Sequence, residues 1–203
     1  MRVEIILERH GESLGNAKKM YLGNTDLDLS ELGYKQAEFA AKALLSERID
    51  AIYSSDLKRA YNTAAAHARL RKMQITAHKG MRELYIGDWE GLTVYELIEK
   101  YGELFTVGWQ KHFGSFKAPG GESVEQLANR VHAALVEIAK KHKDGEKILV
   151  ATHAAAIRSL YGKISGFAPD EVADKIPFPL NASFTRIVYD GEKLLPISYS
   201  KEK

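Results

Sequence analysis

Three short apolar runs, which alternate with segments of helical periodicity, constrain the fold of this chain more than any other feature. The runs span residues 3–7, 49–53 and 148–152 and are rich in β-branched residues, as is typical of buried strands. Runs and helical patterns follow one another as strand 3–7, helix 30–46, strand 49–53, helix 57–72, helix 123–138, strand 148–152 and helix 154–161. This alternation predicts an α/β fold, a mostly parallel sheet flanked by helices on both faces.

The C-terminal part of the sequence carries a hairpin signal. Asp190 and Gly191 stand between two β-rich runs, residues 183–189 and 193–199. An Asp-Gly pair in this position is typical of a tight turn between two strands. We therefore expect an antiparallel C-terminal hairpin at one edge of the sheet.

Residues 81–121 differ in composition from the rest of the chain. This segment holds both tryptophans and several glycines. We interpret it as a loop followed by a small helical lid excursion at about 92–121, with a helix from residue 94 to about 109 that lies over the sheet edge. Most of its aromatic side chains are expected to pack under the lid rather than to contact a ligand.

Composition excludes several classes of protein. The 203 residues include no cysteine, which excludes disulfides, thiolate chemistry and cysteine-based metal sites. No segment approaches the roughly 20 apolar residues of a membrane span, and no signal peptide is apparent. The 29 Lys and Arg residues are scattered and the net charge is only +2, so no nucleic-acid surface is expected. We predict a single domain, residues 1–203, in the cytoplasm, and leave a homodimer open.

Basic residues lie at the end of each predicted strand. They follow the first and last strands directly, and after the middle strand one lies at the start of the next helix. Arg9 and His10 follow the first strand, Arg59 lies in the first turns of the helix after the second, and His153 follows the last. In an open α/β sheet, ligands bind beyond the carboxyl ends of the strands. The sequence therefore predicts that these four basic groups converge on one small anionic ligand.

Two arginines and two histidines around one point are suited to a phosphate dianion. A neutral imidazole can attack phosphorus, while arginines stabilise the transition-state charge and lower the pKa of the attacking histidine. An acid for the departing alkoxide is also needed, and Glu83, if it is buried near other acids, is the best candidate. Metal binding by the histidines is not favoured, because no His-x-x-x-His and no Asp/His cluster accompanies them.

Residues 11–15 offer a competing interpretation, because they also fit the G-x-S-x-G pattern of a serine hydrolase. In that fold the serine follows a strand inside the sheet, and an earlier strand supplies the oxyanion loop. Only twelve residues precede Ser13, so its position argues against this interpretation.

A series of short motifs covers nearly the whole chain. They are Arg9-His10-Gly11-Glu12, Asn16, Leu29-Ser30-Glu31-Leu32-Gly33 with Gln36-Ala37, Tyr53-Ser54-Ser55-Asp56-Leu57 through Arg59-Ala60 and Thr63-Ala64, Glu83 with Gly87-Asp88-Trp89-Glu90-Gly91, Pro119-Gly120-Gly121-Glu122-Ser123, and Thr152-His153. In this order they resemble the histidine phosphatase (phosphoglycerate mutase-like) superfamily. Together they are highly specific, although each alone is weak.

The resemblance implies a role for each matching residue. His10 would be the nucleophile of a phosphohistidine mechanism, Glu83 the proton donor and Asn16 a polar contact to the transferred group. Arg9, Arg59 and His153 would form the phosphate pocket. The resemblance implies no metal and no organic cofactor, and a small phosphorylated metabolite as the partner.

Two departures from the family pattern bear on function. Ala154-Ala155-Ala156 follows His153 where the family often has glycine, which puts in question how the backbone of that turn meets the phosphate. The lid follows Glu83 closely, and Leu22 stands where mutases tend to have a hydroxyl residue; both favour the phosphatase branch.

Some alternatives stay open from the sequence alone. They are phosphoglycerate mutase-type transfer and a phosphate-binding regulatory module without turnover. The sequence does not identify the substrate, because Lys111, His112 and Lys117 could recognise a second anionic group or face water.

Overall fold

The computed structural model describes residues 1–109 and 114–201. Within these ranges the strands are β1 (Val3–Arg9), β2 (Met20–Tyr21), β3 (Ala51–Ser54), β4 (Ile75–Ala77), β5 (Leu92–Thr93), β6 (Lys147–Thr152), β7 (Phe184–Tyr189) and β8 (Leu194–Lys201). The α-helices are α1 (Leu14–Ala17), α2 (Glu31–Ala43), α3 (Lys58–Arg71), α4 (Val94–Tyr101), α5 (Val124–Ala139), α6 (Ala154–Ile164) and α7 (Val172–Lys175).

Six strands form one sheet in the order β4-β3-β6-β1-β7-β8. The first four run parallel to one another, whereas β7 is antiparallel to both β1 and β8. β2 and β5 form a separate antiparallel pair. The predicted mostly parallel sheet with an antiparallel C-terminal hairpin is confirmed.

Helices cover both faces of the sheet, as predicted. Successive side chains of a strand point to opposite faces, so Ile5 and Leu7 of β1 pack with α5 and α6, while Ile6 packs with α2 and α3. Glu8 shares the face of Ile6 and is fully buried, where its carboxylate lies 2.8 Å from Nε2 of the equally buried His67. The strand before the site is therefore held on both faces.

The helices predicted to start at residues 30, 57 and 123 each begin one residue later. The Ser30 hydroxyl accepts the N–H of Gly33 (3.0 Å) at the start of α2. Ser123 forms a capping box at the start of α5. A cap of this kind stabilises a helix by about 1 kcal/mol. α3 begins at Lys58, and the residue before it provides no side-chain cap. The N–H of Lys58 donates instead to the carboxylate of Asp26 (2.7 Å), a residue remote in sequence.

The lid is less regular than predicted. The helix expected over residues 94–109 ends at Tyr101, because Gly102 adopts a positive φ of 50°. A π-helical segment, Leu104–Trp109, follows it. The rest of the predicted helical excursion includes residues 110–113, which lie outside the described residues.

The aromatic residues of the lid mostly pack on one another, as expected. Trp89 is fully buried, and its ring centroid lies 5.2 Å from that of Phe105 and 5.4 Å from that of Phe116. Such ring pairs stabilise a small core, which fixes the lid beside the sheet edge. None of the helices in the described ranges has the length and apolar character needed to cross a membrane.

Candidate active site

The carboxyl ends of three neighbouring parallel strands meet at one edge of the sheet. β1 leads into His10, β6 leads into His153, and β3 leads into the loop before α3, which carries Arg59. This edge opens into a cavity of about 300 Å³. The predicted site residues that line the cavity are Arg9, His10, Asn16, Arg59 and Glu83. The ring centroid of His153 lies 5.3 Å from that of His10.

The protonation of the His10 ring follows from its hydrogen bond. Nδ1 lies 2.6 Å from the carbonyl oxygen of Gly11. A carbonyl oxygen can only accept, so Nδ1 carries the proton and Nε2 of the neutral ring keeps its lone pair. The backbone of His10 is held by its N–H bond to the Thr152 carbonyl (3.0 Å) and by Asn181, whose amide donates to the His10 carbonyl (2.9 Å).

Both histidines are neutral near pH 7. Burial lowers the pKa of His10 well below its ordinary value, and the cations Arg59 and Arg9 lower it further. Burial likewise lowers the pKa of His153 well below the ordinary value, with a smaller contribution from Arg59. The sequence interpretation attributed this effect to the arginines, whereas the removal of water is the larger cause.

The buried histidines should make stability fall as the solution becomes acidic. Below about pH 6.5, the ordinary histidine pKa, the unfolded chain binds protons that the folded protein does not. Each histidine then destabilises the fold by up to about 1.4 kcal/mol per pH unit. We expect His153→Gln to have a shallower fall in melting temperature between pH 7 and pH 5 than the wild type; an unchanged slope would contradict this.

The two arginines are anchored by backbone carbonyl groups. A terminal nitrogen of Arg9 donates to the Pro179 carbonyl (2.6 Å). The two terminal nitrogens of Arg59 donate to the carbonyls of Thr25 (2.8 Å) and Gly23 (2.7 Å). Because these bonds fix the guanidinium planes, the remaining N–H groups are preorganised for a phosphate.

Several buried polar nitrogen atoms at this point have no hydrogen-bond partner in the described part of the chain. They are Nε of Arg9 and the two ring nitrogens of His153. Unsatisfied buried polar groups are rare because each costs free energy. Their shared position beside His10 indicates that a polar ligand completes the site. Asn16 adds an amide at the cavity wall, with its Oδ1 already accepting the Ser13 N–H (3.1 Å).

Glu83 lies in a different environment from the one that the sequence suggested. Its carboxylate accepts the backbone N–H groups of Leu84 (2.9 Å), Ala155 (3.2 Å) and Ala156 (3.2 Å). The guanidinium groups of Arg9 and Arg59 interact electrostatically with this carboxylate. The expectation that Glu83 is buried near other acids is therefore wrong, because it sits half-buried among hydrogen-bond donors and cations.

The turn after His153 is arranged around this carboxylate. Ala155 and Ala156 belong to the first turn of α6, where unpaired N–H groups favour an anion. In this structure the anion is Glu83 itself. Ala154 lines the cavity with Ala155, so a methyl group stands where the family often has glycine.

Gly11 allows the loop after His10 to pack closely against the start of α2. A Cβ atom on Gly11 would lie 2.4 Å from the carbonyl oxygen of Gly33, and one on Gly33 would lie 2.0 Å from that of Glu12. The N–H of Gly11 donates to the hydroxyl of Thr63 (3.1 Å), which donates in turn to the Arg59 carbonyl (2.8 Å). The loop after His10 is thereby fixed against α2 and α3.

Ser13 is a helix cap and not a nucleophile. Its hydroxyl accepts the Asn16 N–H (3.1 Å), and the residue is fully buried. It does not line the cavity. The serine hydrolase interpretation therefore lacks an accessible hydroxyl.

Sequence reasoning missed the residue that holds the Glu83 backbone in place. Arg130 of α5 donates to the carbonyls of Gly80 (3.0 Å), Arg82 (3.1 Å) and Glu83 (3.2 Å). Arg82 itself forms a two-pronged ion pair with Asp56 (2.7 and 2.6 Å). No sequence signal could have indicated Arg130, since contacts of a side chain with a distant backbone follow no spacing rule.

The remaining wall of the cavity is apolar. It is formed by Met20, Tyr21, Leu22, Leu84, Ile86, Trp109 and Phe178. Lys111 and His112, considered above as anion contacts, lie outside the described residues, and Lys117 is not among the lining residues. Within residues 1–109 and 114–201, no group of three or more acidic or histidine side chains could hold a metal ion.

This geometry can bind a dianion and attack it. Two anchored guanidinium groups, an imidazole whose Nε2 is free and a carboxyl group line the same cavity. These are the parts that phosphoryl transfer to a histidine requires.

Comparison with known proteins places the chain in a family. The model described as "Histidine phosphatase superfamily (branch 1)" matches residues 5–200. Phosphoserine phosphatase 1 of Hydrogenobacter thermophilus is 38% identical over 164 residues, which cover 81% of this chain and 77% of that protein. Phosphoglycerate mutase-like protein 4 of Arabidopsis thaliana is 36% identical over 193 residues, covering 94% and 81%. The solved structure of Bacillus stearothermophilus YhfR has a TM-score of 0.91 at 28% identity, covering 99% of this chain and 98% of that one. The chain belongs to the histidine phosphatase superfamily.

Proposed function

We propose that the protein hydrolyses phosphomonoesters through a phosphohistidine intermediate on His10. The observation that carries the proposal is the hydrogen bond from Nδ1 of His10 to the Gly11 carbonyl. It leaves the lone pair of Nε2 free in a buried site beside Arg9 and Arg59. An unprotonated imidazole nitrogen is a good nucleophile, and the arginines stabilise the charge on the phosphoryl oxygens in the transition state.

The reaction has two steps. In the first, Nε2 of His10 forms a bond to phosphorus, the bond from phosphorus to the alcohol oxygen breaks, and Glu83 gives that oxygen a proton. In the second, Glu83 takes a proton from a water that attacks phosphorus, and the phosphorus–nitrogen bond breaks. Arg9, Arg59, His153 and Asn16 hold the phosphoryl oxygens, and the scheme uses no metal or organic cofactor.

The carboxyl group of Glu83 must be protonated for the first step. Three backbone N–H groups fix the position of this carboxyl group at the cavity wall.

Trapping the intermediate tests the proposal. Brief reaction with a labelled phosphomonoester, quenched at high pH, should leave phosphate on His10. Turnover should persist in a chelator and be inhibited by vanadate. Vanadate binding without a phosphoenzyme or turnover would instead favour a regulatory module.

Interconversion of 2- and 3-phosphoglycerate that is faster than phosphate release would favour mutase-type transfer. Leu22 in the cavity wall argues against that function.

A further inference from the structure

The part of the cavity beyond the phosphate must hold the alcohol of the substrate. With phosphorus beside Nε2 of His10 and the ester oxygen facing Glu83, the alcohol points toward the remaining cavity wall. That wall comes from separate segments: the chain at residues 20–22, the chain at residues 84–86, the lid and the segment before β7. Its side chains, named above, are all apolar or aromatic.

This wall is rigid. Leu22, Leu84 and Ile86 are each at most 7% exposed. The rings of Tyr21 and Trp109 meet edge to face at 6.2 Å, and the indole N–H of Trp109 hydrogen-bonds the Tyr21 hydroxyl. Because these packed side chains are already in place, an apolar group binds against them with a reduced ordering cost.

The described basic residues offer no partner for a charged alcohol. The basic groups that line the cavity are Arg9, His10 and Arg59, which face the phosphate position. Arg158 does not line the cavity. Its guanidinium lies over the Phe178 ring, 4.2 Å from the ring centroid, and donates to the carbonyls of Ile176 and Ala173. A carboxylate on the alcohol would be placed against apolar side chains near Glu83, which is costly.

Resting on the proposed function, we propose that this wall selects phosphomonoesters of uncharged alcohols that present an aromatic or branched apolar group. Esters whose alcohol carries a carboxylate, such as phosphoserine and phosphoglycerate, are then poor substrates. The relatives named as phosphoserine phosphatases would in this case differ from this chain in what they accept.

A matched set of primary alkyl phosphates separates the effect of the apolar wall on substrate preference from the effect of the leaving group on the chemical step. We compare kcat/KM for 2-phenylethyl phosphate, propyl phosphate and O-phospho-L-serine, which all need a proton for a basic leaving group. Burial of the phenyl ring against the wall should make kcat/KM for 2-phenylethyl phosphate about tenfold to a hundredfold higher than that for propyl phosphate. Phosphoserine should have the lowest kcat/KM of the three. A wild-type preference for phosphoserine would overturn the inference.

A charge placed in the wall provides the second measurement. Met20 is partly exposed and lines the cavity, so Met20→Lys should fold, with the melting temperature as the check. We expect it to narrow or reverse the preference by weakening 2-phenylethyl phosphate and strengthening phosphoserine, while the matched Met20→Leu keeps the wild-type order. An unchanged order in a folded Met20→Lys protein would count against the wall as the selecting element.

Failure of the proposed function would look different. It would appear as no phosphohistidine and no turnover of any ester, p-nitrophenyl phosphate included, and the inference would fall with it. A phosphoenzyme that forms most readily from phosphoserine would leave the proposed function intact and overturn the inference alone.

Discussion

Replacing His10 with alanine should abolish turnover of every phosphomonoester and remove the trapped phosphoenzyme. The ring supplies the attacking Nε2, and no other described histidine lines the cavity. Removal of the nucleophile from a well-studied serine protease costs on the order of 10⁶-fold in kcat, and we expect a loss limited only by the assay background. Steady-state kinetics and labelled quenching measure both effects.

Ser13→Ala is the matched control for this variant. Ser13 lies three residues from His10 in the same loop region and is equally buried. Its loss removes a helix cap, so the protein should lose about 1 kcal/mol of stability while keeping its turnover. Full activity in His10→Ala, or loss of activity only in Ser13→Ala, would reverse the assignment and favour the serine hydrolase.

The parts that the sequence predicts well are those with local signals. Short β-branched runs predict the central strands, and the rule that ligands bind beyond the carboxyl ends of parallel strands predicts the position of His10, His153 and Arg59. These positions depend only on where each strand ends. The hairpin at Asp190 is also predicted by residues that are adjacent in the sequence.

The parts that the sequence could not predict depend on contacts between distant segments. The cap of α3 comes from Asp26, and the buried partner of Glu8 is His67. Gly11 is required because the Gly33 carbonyl approaches it, which no pattern around residue 11 indicates. The acid neighbours expected for Glu83 are instead backbone N–H groups of α6, which lie 72 and 73 residues away in sequence.

The environment of Glu83 makes its role testable by the choice of leaving group. An alkyl phosphate must expel a basic alkoxide and needs a proton in the transition state, whereas p-nitrophenolate leaves without one. General acid catalysis contributes about 10²–10⁴-fold. We therefore expect Glu83→Gln to slow hydrolysis of propyl phosphate by about that factor and to affect p-nitrophenyl phosphate far less.

The glutamine variant also preserves the structure around residue 83. Its amide oxygen can still accept N–H bonds from the first turn of α6, so the backbone held by Arg130 should stay in place and the melting temperature should change little. Equal losses on both substrates would mean that Glu83 positions the arginines rather than delivers a proton. The donor would then have to come from elsewhere, and Glu90 is poorly placed for that role, because its carboxylate accepts the Asn24 N–H (2.7 Å) and the Thr25 hydroxyl (3.2 Å). Asp88, which is exposed beside the lid, would be the next residue to replace.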